Sequence, residues 1–221
     1  MLKSFSEITE AAGRKFSCER QDEFICHLLA SQPDYVYNEP GYFLDVGCAG
    51  PLGCNNTSIL ANFYNWEGLA FDIGDVAVDE DWYKYRNTPF YQIDATSSEF
   101  TDLLKQHSPK EVDYISLDVD GTTNLAAAAL ERILDAGIEF KAMTLEHEAF
   151  KYGRSTCDTT RAMLLIRGYV MLFEDVSFED GNPWEDWWIK EDSIPMENIM
   201  DISKKGATFN ECVDTLAEFI N

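Results

Sequence analysis

Basic residues are scarce in this chain. Its 221 residues include 17 Lys and Arg against 40 Asp and Glu, so the formal charge at pH 7 is −23. A polyanion repels phosphate backbones and anionic lipid surfaces. No Lys/Arg cluster interrupts the excess of acid. We therefore predict partners that are neither nucleic acid nor membrane.

Long apolar runs and cysteine motifs are also missing. No segment approaches the ~18 apolar residues of a membrane-spanning helix, and the first residues lack the apolar stretch of a signal peptide. We therefore expect a cytoplasmic protein. The six cysteines form no CxxC pair, so neither a zinc site nor a disulfide framework is indicated. We expect six reduced thiols that pack in apolar segments.

The chain has no internal repeat and no Pro/Gly-rich linker, while 45% of its residues are hydrophobic. That content is enough for a sizeable core, and the length is typical of one domain. We predict a helical cap over 1–40, with one helix over 4–31, a Rossmann-like core over 41–190 and a helical extension over 191–221. These three parts form a single domain in this interpretation.

Short apolar strands alternate with helical stretches through the predicted core. The predicted strands are 42–46, 68–72, 90–94, 112–118, 140–146, 169–174 and 186–190. Strand–helix alternation favours a parallel sheet with right-handed crossovers. Only a loop separates the last two strands, so they pair antiparallel. The predicted fold is α/β, a seven-stranded, mostly parallel sheet with one antiparallel strand and helices on both faces.

Acidic residues end the predicted strands. Asp72, Asp94, Asp118 and Glu146 are last in their strands, and Asp45 is next to last in the first. Ligands of open parallel sheets bind beyond the carboxyl ends of the strands. A buried acid without a partner is costly, so acids gathered at one edge need partners there. The alternative is that each acid caps the following helix.

The loop after the first strand has small residues but not the G-x-G-x-x-G spacing of a dinucleotide site. An acid at position 45, two residues before Gly47, suits the ammonium of an amino acid better than a pyrophosphate. Asp72 can accept both hydroxyls of a ribose, and Asp94 suits an adenine amino group. Amino acid, ribose and adenine together describe S-adenosylmethionine.

Five blocks of the chain resemble FkbM-type methyltransferases over roughly residues 20–190. They are Gly41–Gly47 (GYFLDVG), Asn55–Thr57, Trp66–Gly68, Asp113–Gly121 (DYISLDVDG) and Leu145–His147. The resemblance implies a class I methyltransferase fold and transfer of the S-adenosylmethionine methyl group to a hydroxyl. It also implies a set of cofactor-binding residues: Asp45, Gly47, Ala49, Asn56, Thr57, Asp72, Asp94 and Asp118. For Asn56 and Thr57, an ordinary helix N-cap is the alternative.

A hydroxyl is a poor nucleophile and needs a base or a metal. Asp120 is our first choice for the base and His147 the second, the alternative for His147 being a hydrogen-bonded loop histidine. Mg²⁺ is an open option, and Asp118 and Glu146 would hold it. Trp184, in the loop before the last strand, is a candidate contact for the acceptor.

The sequence thus predicts an S-adenosylmethionine-dependent methyltransferase that acts on a hydroxyl of a small molecule or saccharide. A non-catalytic binding or assembly module of the same fold is the alternative. A nicotinamide-dependent oxidoreductase is a further one, although the missing G-x-G-x-x-G counts against it. The identity of the acceptor and the oligomeric state, a homo-oligomer included, are left open by the sequence.

Overall fold

A computed structural model describes residues 5–30, 40–75, 81–120, 122–191 and 200–220. The helices are α1 (Phe5–Ala12), α2 (Gln21–Ala30), α3 (Ser58–Phe63), α4 (Trp82–Tyr85), α5 (Ser98–His107), α6 (Leu125–Asp135), α7 (Ala149–Tyr152), α8 (Ser155–Leu165) and α9 (Phe209–Ile220). The strands are β1 (Tyr42–Val46), β2 (Glu67–Asp72), β3 (Phe90–Gln92), β4 (Glu111–Leu117), β5 (Glu139–Glu146), β6 (Tyr169–Ser177), β7 (Pro183–Lys190) and β8 (Lys204–Lys205).

Within the described residues the strands form one eight-stranded sheet in the order β3-β2-β1-β4-β5-β7-β6-β8. Strands β1 to β5 pair in parallel, and β7 runs antiparallel to both β5 and β6. The predicted α/β class and the reversed strand are confirmed. The predicted count of seven is one short, because β8 adds two residues parallel to β6. Two residues carry no alternation that a sequence pattern could reveal.

Each face of the sheet packs against its own set of helices. Phe43, Tyr114 and Trp187 lie on the face covered by α2, α3 and α9. Leu44 and Ile115 lie on the face covered by α5, α6 and α8. Because neighbouring residues of a strand point to opposite faces, the side chains one position apart at a strand end enter different surroundings. This alternation divides the polar groups of the site described below.

The N-terminal cap is two helices rather than the one predicted over 4–31. Helix α1 ends at Ala12, and Gly13 follows in the left-handed region with φ +63°. Glycine adopts that conformation at no steric cost, so the helix stops there. Helix α2 begins only at Gln21, after an irregular segment. Residues 4 and 31, the two ends of the predicted helix, lie outside the described residues.

Two strands end earlier than predicted. The third ends at Gln92 rather than at 94, because Asp94 Oδ1 accepts hydrogen bonds from the backbone N (2.8 Å) and Oγ1 (2.7 Å) of Thr96. Such a local side-chain bond makes a turn that competes with the strand ladder. The fourth ends at Leu117, so Asp118 lies one residue beyond it.

One cysteine pair corrects the expectation of six reduced thiols. Cys18 and Cys54 are joined by a disulfide, with their Cα atoms 4.5 Å apart. The other four cysteines are free: Cys48, Cys157 and Cys212 are buried and Cys26 is half-buried. The two bonded cysteines are 36 residues apart in the sequence, so no local sequence motif predicts the disulfide. No helix in the described parts of the chain combines the length and apolar character needed to cross a membrane.

Candidate functional site at the carboxyl edge of the sheet

The loop after β1 crosses directly over the end of β4. Gly47 has φ +83°, and a Cβ atom built on it would lie 1.8 Å from the backbone O of Asp118. The backbone N of Gly47 donates to the backbone O of Phe71 (2.8 Å), and that of Asp118 donates to the backbone O of Val46 (2.9 Å). Only glycine fits this crossing. The loop therefore lies tightly against the ends of three strands, β1, β2 and β4.

Asp45 is buried beneath this loop, with 2% of its surface exposed. Its Oδ2 accepts hydrogen bonds from Thr57 Oγ1 (2.6 Å) and Asn55 Nδ2 (3.0 Å) and lies 3.5 Å from Arg86 Nη1. Burial raises the pKa of the Asp45 carboxyl, and the Arg86 guanidinium opposes that rise. Arg86 is itself buried and stacks on the ring of Trp82 at 4.7 Å. Asp45 thus serves as the counter-ion of an internal arginine.

Asn55 holds the loop in place. Its Nδ2 also donates to the backbone O atoms of Cys48 (2.8 Å) and Gly50 (3.2 Å). Its Oδ1 accepts from the backbone N of Thr57 (3.0 Å) and from Arg86 Nη1 (2.8 Å). The amide is therefore bonded on both sides. Sequence reasoning singled out its two neighbours and missed Asn55, although the polar run at 55–57 was the signal.

The two residues that were singled out point inward. Thr57 is fully buried and bonds Asp45, and Asn56 is 7% exposed and donates from Nδ2 to Ser116 Oγ (3.0 Å). Thr57 makes no side-chain cap bond with helix α3. Both residues therefore support the loop and the sheet from inside the protein. Their predicted contact with the cofactor carboxylate stays a prediction.

Asp72 links the β1 loop to the β2 loop. Its Oδ2 accepts a hydrogen bond from the backbone N of Ala49 (3.0 Å), and its Oδ1 accepts one from the backbone N of Gly74 (2.8 Å). The side chain is half-buried. A carboxylate has about four lone-pair sites, so two remain for hydroxyl groups of a ligand. Asp94, by contrast, is exposed, and its hydrogen bonds with Thr96 lower its pKa.

A pair of carboxyl groups lies at the ends of the next two strands. Asp118 follows β4 and Glu146 ends β5, and their side chains share a hydrogen bond. Burial, and then this hydrogen bond, hold the pKa of Glu146 far above its ordinary value. Glu146 therefore holds a proton more strongly than an ordinary carboxyl group does.

A third carboxyl group lies beside this pair. Glu185 on β7 is the register partner of Glu146 and is 3% exposed. It accepts hydrogen bonds from Trp187 Nε1 (2.5 Å) and from Gln21 Nε2 (3.2 Å), the latter on helix α2. Burial raises the pKa of Glu185 to about 8, with a further contribution from the charge of Asp118. Through Gln21, the N-terminal cap therefore contacts Glu185, one of the acidic residues at the carboxyl edge of the sheet.

His147, the second-choice base, faces the other side of the sheet. It is completely buried, its Nδ1 accepts from the backbone N of Ala149 (3.1 Å), and its Nε2 lies 3.5 Å from Asp186 Oδ1. Because it follows Glu146 in an extended segment, its side chain points away from the carboxyl pair. The same alternation separates Asp186 from Glu185.

Arginines complete the network around His147. Ligand atoms of His147, Cys157 and Asp186 lie within 4.8 Å of one another, as in a metal site. Arg161 already binds both carboxylate oxygens of Asp186, at 2.8 and 2.7 Å. Arg154 Nη2 lies 3.4 Å from Cys157 Sγ. Two guanidinium groups therefore occupy the surroundings where a cation would be held.

Asp120 and Trp184 lie nearer the surface. Asp120 is exposed, and a hydrogen bond from the backbone N of Thr122 (2.9 Å) lowers its pKa. Trp184 immediately precedes Glu185 and stacks on the partly exposed ring of Phe150, with 4.9 Å between centroids. This stack provides a flat aromatic surface next to the acidic strand ends.

A cavity of about 570 Å³ lies at the opposite, amino edge of β1, β2 and β3. Aromatic rings of Tyr42, Trp66, Tyr91 and His107 line it together with polar side chains such as Asn87. Sequence reasoning did not anticipate it. It offers a second place where a planar ligand could bind, in competition with the carboxyl edge.

No family model matches this chain, and no curated protein matches it either. Solved structures do resemble it. The fibrillarin/Nop5p complex aligns with 75% of this chain and 79% of its own, at 13% identity and a TM-score of 0.50. The plantazolicin methyltransferase BamL, in complex with triazolic desmethylPZN analog and SAH, aligns with 84% of this chain and 88% of its own, at 12% identity and a TM-score of 0.50. The chain has a methyltransferase-like Rossmann fold. The resemblance to FkbM-type proteins is not confirmed.

Proposed function

We propose that this protein is an S-adenosylmethionine-dependent methyltransferase that methylates a hydroxyl group of a small molecule or saccharide. One observation carries the proposal. At the carboxyl edge, Asp72 is hydrogen-bonded to the small-residue loop after β1, and the carboxyl pair of Asp118 and Glu146 lies on the adjoining strands. In this proposal a nucleoside-binding half and a proton-accepting half meet at the edge where ligands of open parallel sheets bind.

The cofactor half uses Asp72 and the loop. The remaining lone pairs of Asp72 suit the two ribose hydroxyls, and the small residues Gly47, Ala49 and Gly50 let a ligand approach the backbone closely. In this proposal Asp94, exposed two residues beyond β3, accepts a hydrogen bond from the adenine amino group. Asp45 acts indirectly in this proposal, since it fixes the loop through Asn55 and Arg86. When bound, S-adenosylmethionine supplies a methyl group activated by a positively charged sulfur.

The acceptor half uses the carboxyl pair. The Asp118 carboxylate accepts the proton of the acceptor hydroxyl, and protonated Glu146 fixes the orientation of Asp118 by donating to it. Exposed Asp120, two residues further on, is the other candidate base. Mg²⁺ at Asp118 and Glu146 has no support from the comparisons, and the mechanism proposed here uses no metal ion.

The acceptor class follows from charge and from the aromatic surface. A net charge of −23 disfavours polyanionic acceptors such as RNA. The stacked rings of Trp184 and Phe150 offer a flat apolar surface, and Trp184 directly precedes Glu185, the register partner of Glu146. Sugar rings and other small hydroxylated rings pack on such surfaces, which favours a saccharide or a related small molecule.

Calorimetry with S-adenosylhomocysteine, S-adenosylmethionine and NADH tests the proposal. We expect both sulfur ligands to bind and NADH to give no heat. Asp72→Asn should weaken binding by roughly 10- to 100-fold, the effect of losing a charge-assisted hydrogen bond. The control is Asp75→Asn, an exposed acid three residues along the same loop, which should leave the affinity unchanged.

Three results would contradict the proposal. NADH binding in place of both sulfur ligands would favour an oxidoreductase. Equal affinity of the Asp72 and Asp75 variants would show that the nucleoside lies elsewhere. Binding of the sulfur ligands with no methyl transfer to any of a panel of hydroxylated acceptors would favour the non-catalytic module.

A further inference from the structure

The disulfide between Cys18 and Cys54 ties the N-terminal cap to the loop that precedes α3. Both residues are exposed, so a thiol in solution can reach either sulfur. We call residues 14–23, from the loop after α1 to the first turn of α2, the strap. The strap contacts one residue next to each half of the candidate site, Asn55 and Glu185.

On the cofactor side, the strap holds Asn55. The backbone O of Phe16 accepts a hydrogen bond from the backbone N of Asn55 (3.0 Å). The ring of Phe16 is 3% exposed and packs edge-on against Phe63, with 5.5 Å between centroids. Cys54 immediately precedes Asn55, whose side chain fixes the carbonyls of Cys48 and Gly50. A shift of the strap would therefore move Asn55, and Asn55 would in turn move the loop after β1.

On the acceptor side, the strap holds Glu185. Gln21 Nε2 donates to both carboxylate oxygens of Glu185, at 3.2 and 3.4 Å. Asp22 accepts from Ser17 Oγ (2.7 Å), which ties the start of α2 to the irregular part of the strap. Glu185 lies opposite Glu146 in the sheet register. One ten-residue segment thus reaches the loop of one half and the acidic strand of the other.

We propose that the Cys18–Cys54 disulfide is a thiol-sensitive latch: while it is closed, the strap holds both halves of the site, and its reduction by a dithiol releases the strap and weakens ligand binding. The inference rests on the proposed function for the identity of the ligand. Two exposed cysteines at the junction of the N-terminal cap and the loop before α3, together with the strap contacts at Asn55 and Glu185, carry it.

The chemistry is an ordinary thiol–disulfide exchange. A thiolate of the dithiol attacks one sulfur, the bond between Cys18 and Cys54 breaks, and a mixed disulfide forms. The second thiol of the reductant displaces the cysteine from it. The dithiol leaves as a cyclic disulfide, and its two electrons and two protons are found on the thiols of Cys18 and Cys54.

The test measures S-adenosylhomocysteine affinity by calorimetry with and without dithiothreitol, while mass spectrometry after alkylation reports the state of the pair. We expect reduction to weaken binding by about 5-fold or more, the lower range of coupling between two sites. Reoxidation with oxidised glutathione should restore the affinity. The Cys18→Ser/Cys54→Ser double variant should show the weak affinity throughout and no response to dithiothreitol.

A second readout does not depend on the ligand. Hydrogen exchange of the Asn55 amide, which donates to Phe16, should accelerate on reduction of the wild-type chain and be fast in the double variant. If reduction is complete and neither exchange nor affinity changes, the latch is overturned. If exchange accelerates while no sulfur ligand binds in either state, the latch stands and the proposed function fails. If the double variant does not fold, the reduced and oxidised wild-type chain supply both readouts.

Discussion

Asp45 and Asp118 lie at the ends of neighbouring strands and have different partners. Asp45 accepts bonds from two polar side chains and lies against the buried guanidinium of Arg86. Asp118 shares a hydrogen bond with a second carboxyl group, Glu146. The first arrangement neutralises a charge inside the protein, whereas the second stores a proton at its edge. The same residue type in the same pattern thus serves structure on one strand and is available for chemistry on the next.

The source of the difference lies in other parts of the chain. The cation that meets Asp45 comes from residue 86, just after the short helix α4. The carboxyl partners of Asp118 come from the antiparallel pair β5 and β7. A strand-end acid is therefore interpretable only together with the side chains that the topology brings to it.

The contrast between Asp45 and Asp118 depends on the guanidinium of Arg86, so replacing Arg86 should abolish it. Arg86→Met leaves the Asp45 carboxyl buried without its cation, which makes it resemble Glu146. Breaking a buried pair in this way costs about 3–5 kcal/mol, so we expect the free energy of unfolding in urea to fall by that amount. Lys84→Met, at a side chain with 64% exposure, is the control and should change it by less than about 0.5 kcal/mol. A loss below about 1 kcal/mol for Arg86→Met would contradict the internal ion pair.

A methyl group added at Gly47 tests how tightly the loop after β1 crosses the end of β4. Gly47→Ala places a Cβ against the backbone O of Asp118 and also needs a left-handed backbone. Overpacking and the positive φ together predict a loss of about 2–5 kcal/mol. Gly181→Ala separates the two causes, because Gly181 has φ +75° but nothing within 4 Å of its Cβ position. Chemical denaturation should show Gly181→Ala losing only about 1–2 kcal/mol; equal losses would mean that the strand crossing is looser than described.

The predictability of this edge from sequence was uneven. Short apolar runs placed the strands and the reversed strand well, since consecutive apolar residues such as Phe43 and Leu44 reflect burial on both faces of the sheet. The Asp45–Arg86 pair was out of reach because α4 has only four residues and no amphipathic period. By contrast, Thr208 and Glu211 are only three residues apart and form a capping box at the start of α9, with bonds of 2.8 and 3.2 Å, a local feature that spacing alone can indicate.

Contacts between residues that are distant in the sequence were not predicted, for the same physical reason. Cys18 and Cys54 meet only because the chain after α1 folds back on the loop before α3. Predicting the carboxyl pair needed both the strand order, which the sequence did not supply, and the side-chain alternation at 146 and 147. That alternation was available in the sequence, and applying it would have turned His147 away from the edge.

The carboxyl groups near Asp118 can be tested through the pH dependence of stability, by removing the carboxyl group of Glu185. The pKa of Glu185 is about 8 in the folded protein, above the usual value of about 4.3 of an unfolded chain. Between those values the folded state holds the proton more tightly, so the free energy of unfolding falls as the pH rises from about 4.5 to 8. Glu185→Gln should remove that part of the slope, a change of more than about 1 kcal/mol across the window.

Urea unfolding at a series of pH values measures this slope. The control is Glu218→Gln, at an exposed position of α9, which should keep the wild-type pH dependence. Identical pH profiles of wild type and Glu185→Gln would mean that Glu185 titrates like an exposed carboxyl group.

The most direct measurement is a titration of the isotope-labelled protein with S-adenosylhomocysteine, followed by amide chemical shifts. The carboxyl edge predicts the largest changes at Gly47, Ala49 and Gly74, the amides around the loop and Asp72. Changes confined to Tyr42, Trp66 and Tyr91 would place the ligand in the cavity at the amino edge and contradict the assignment of the site.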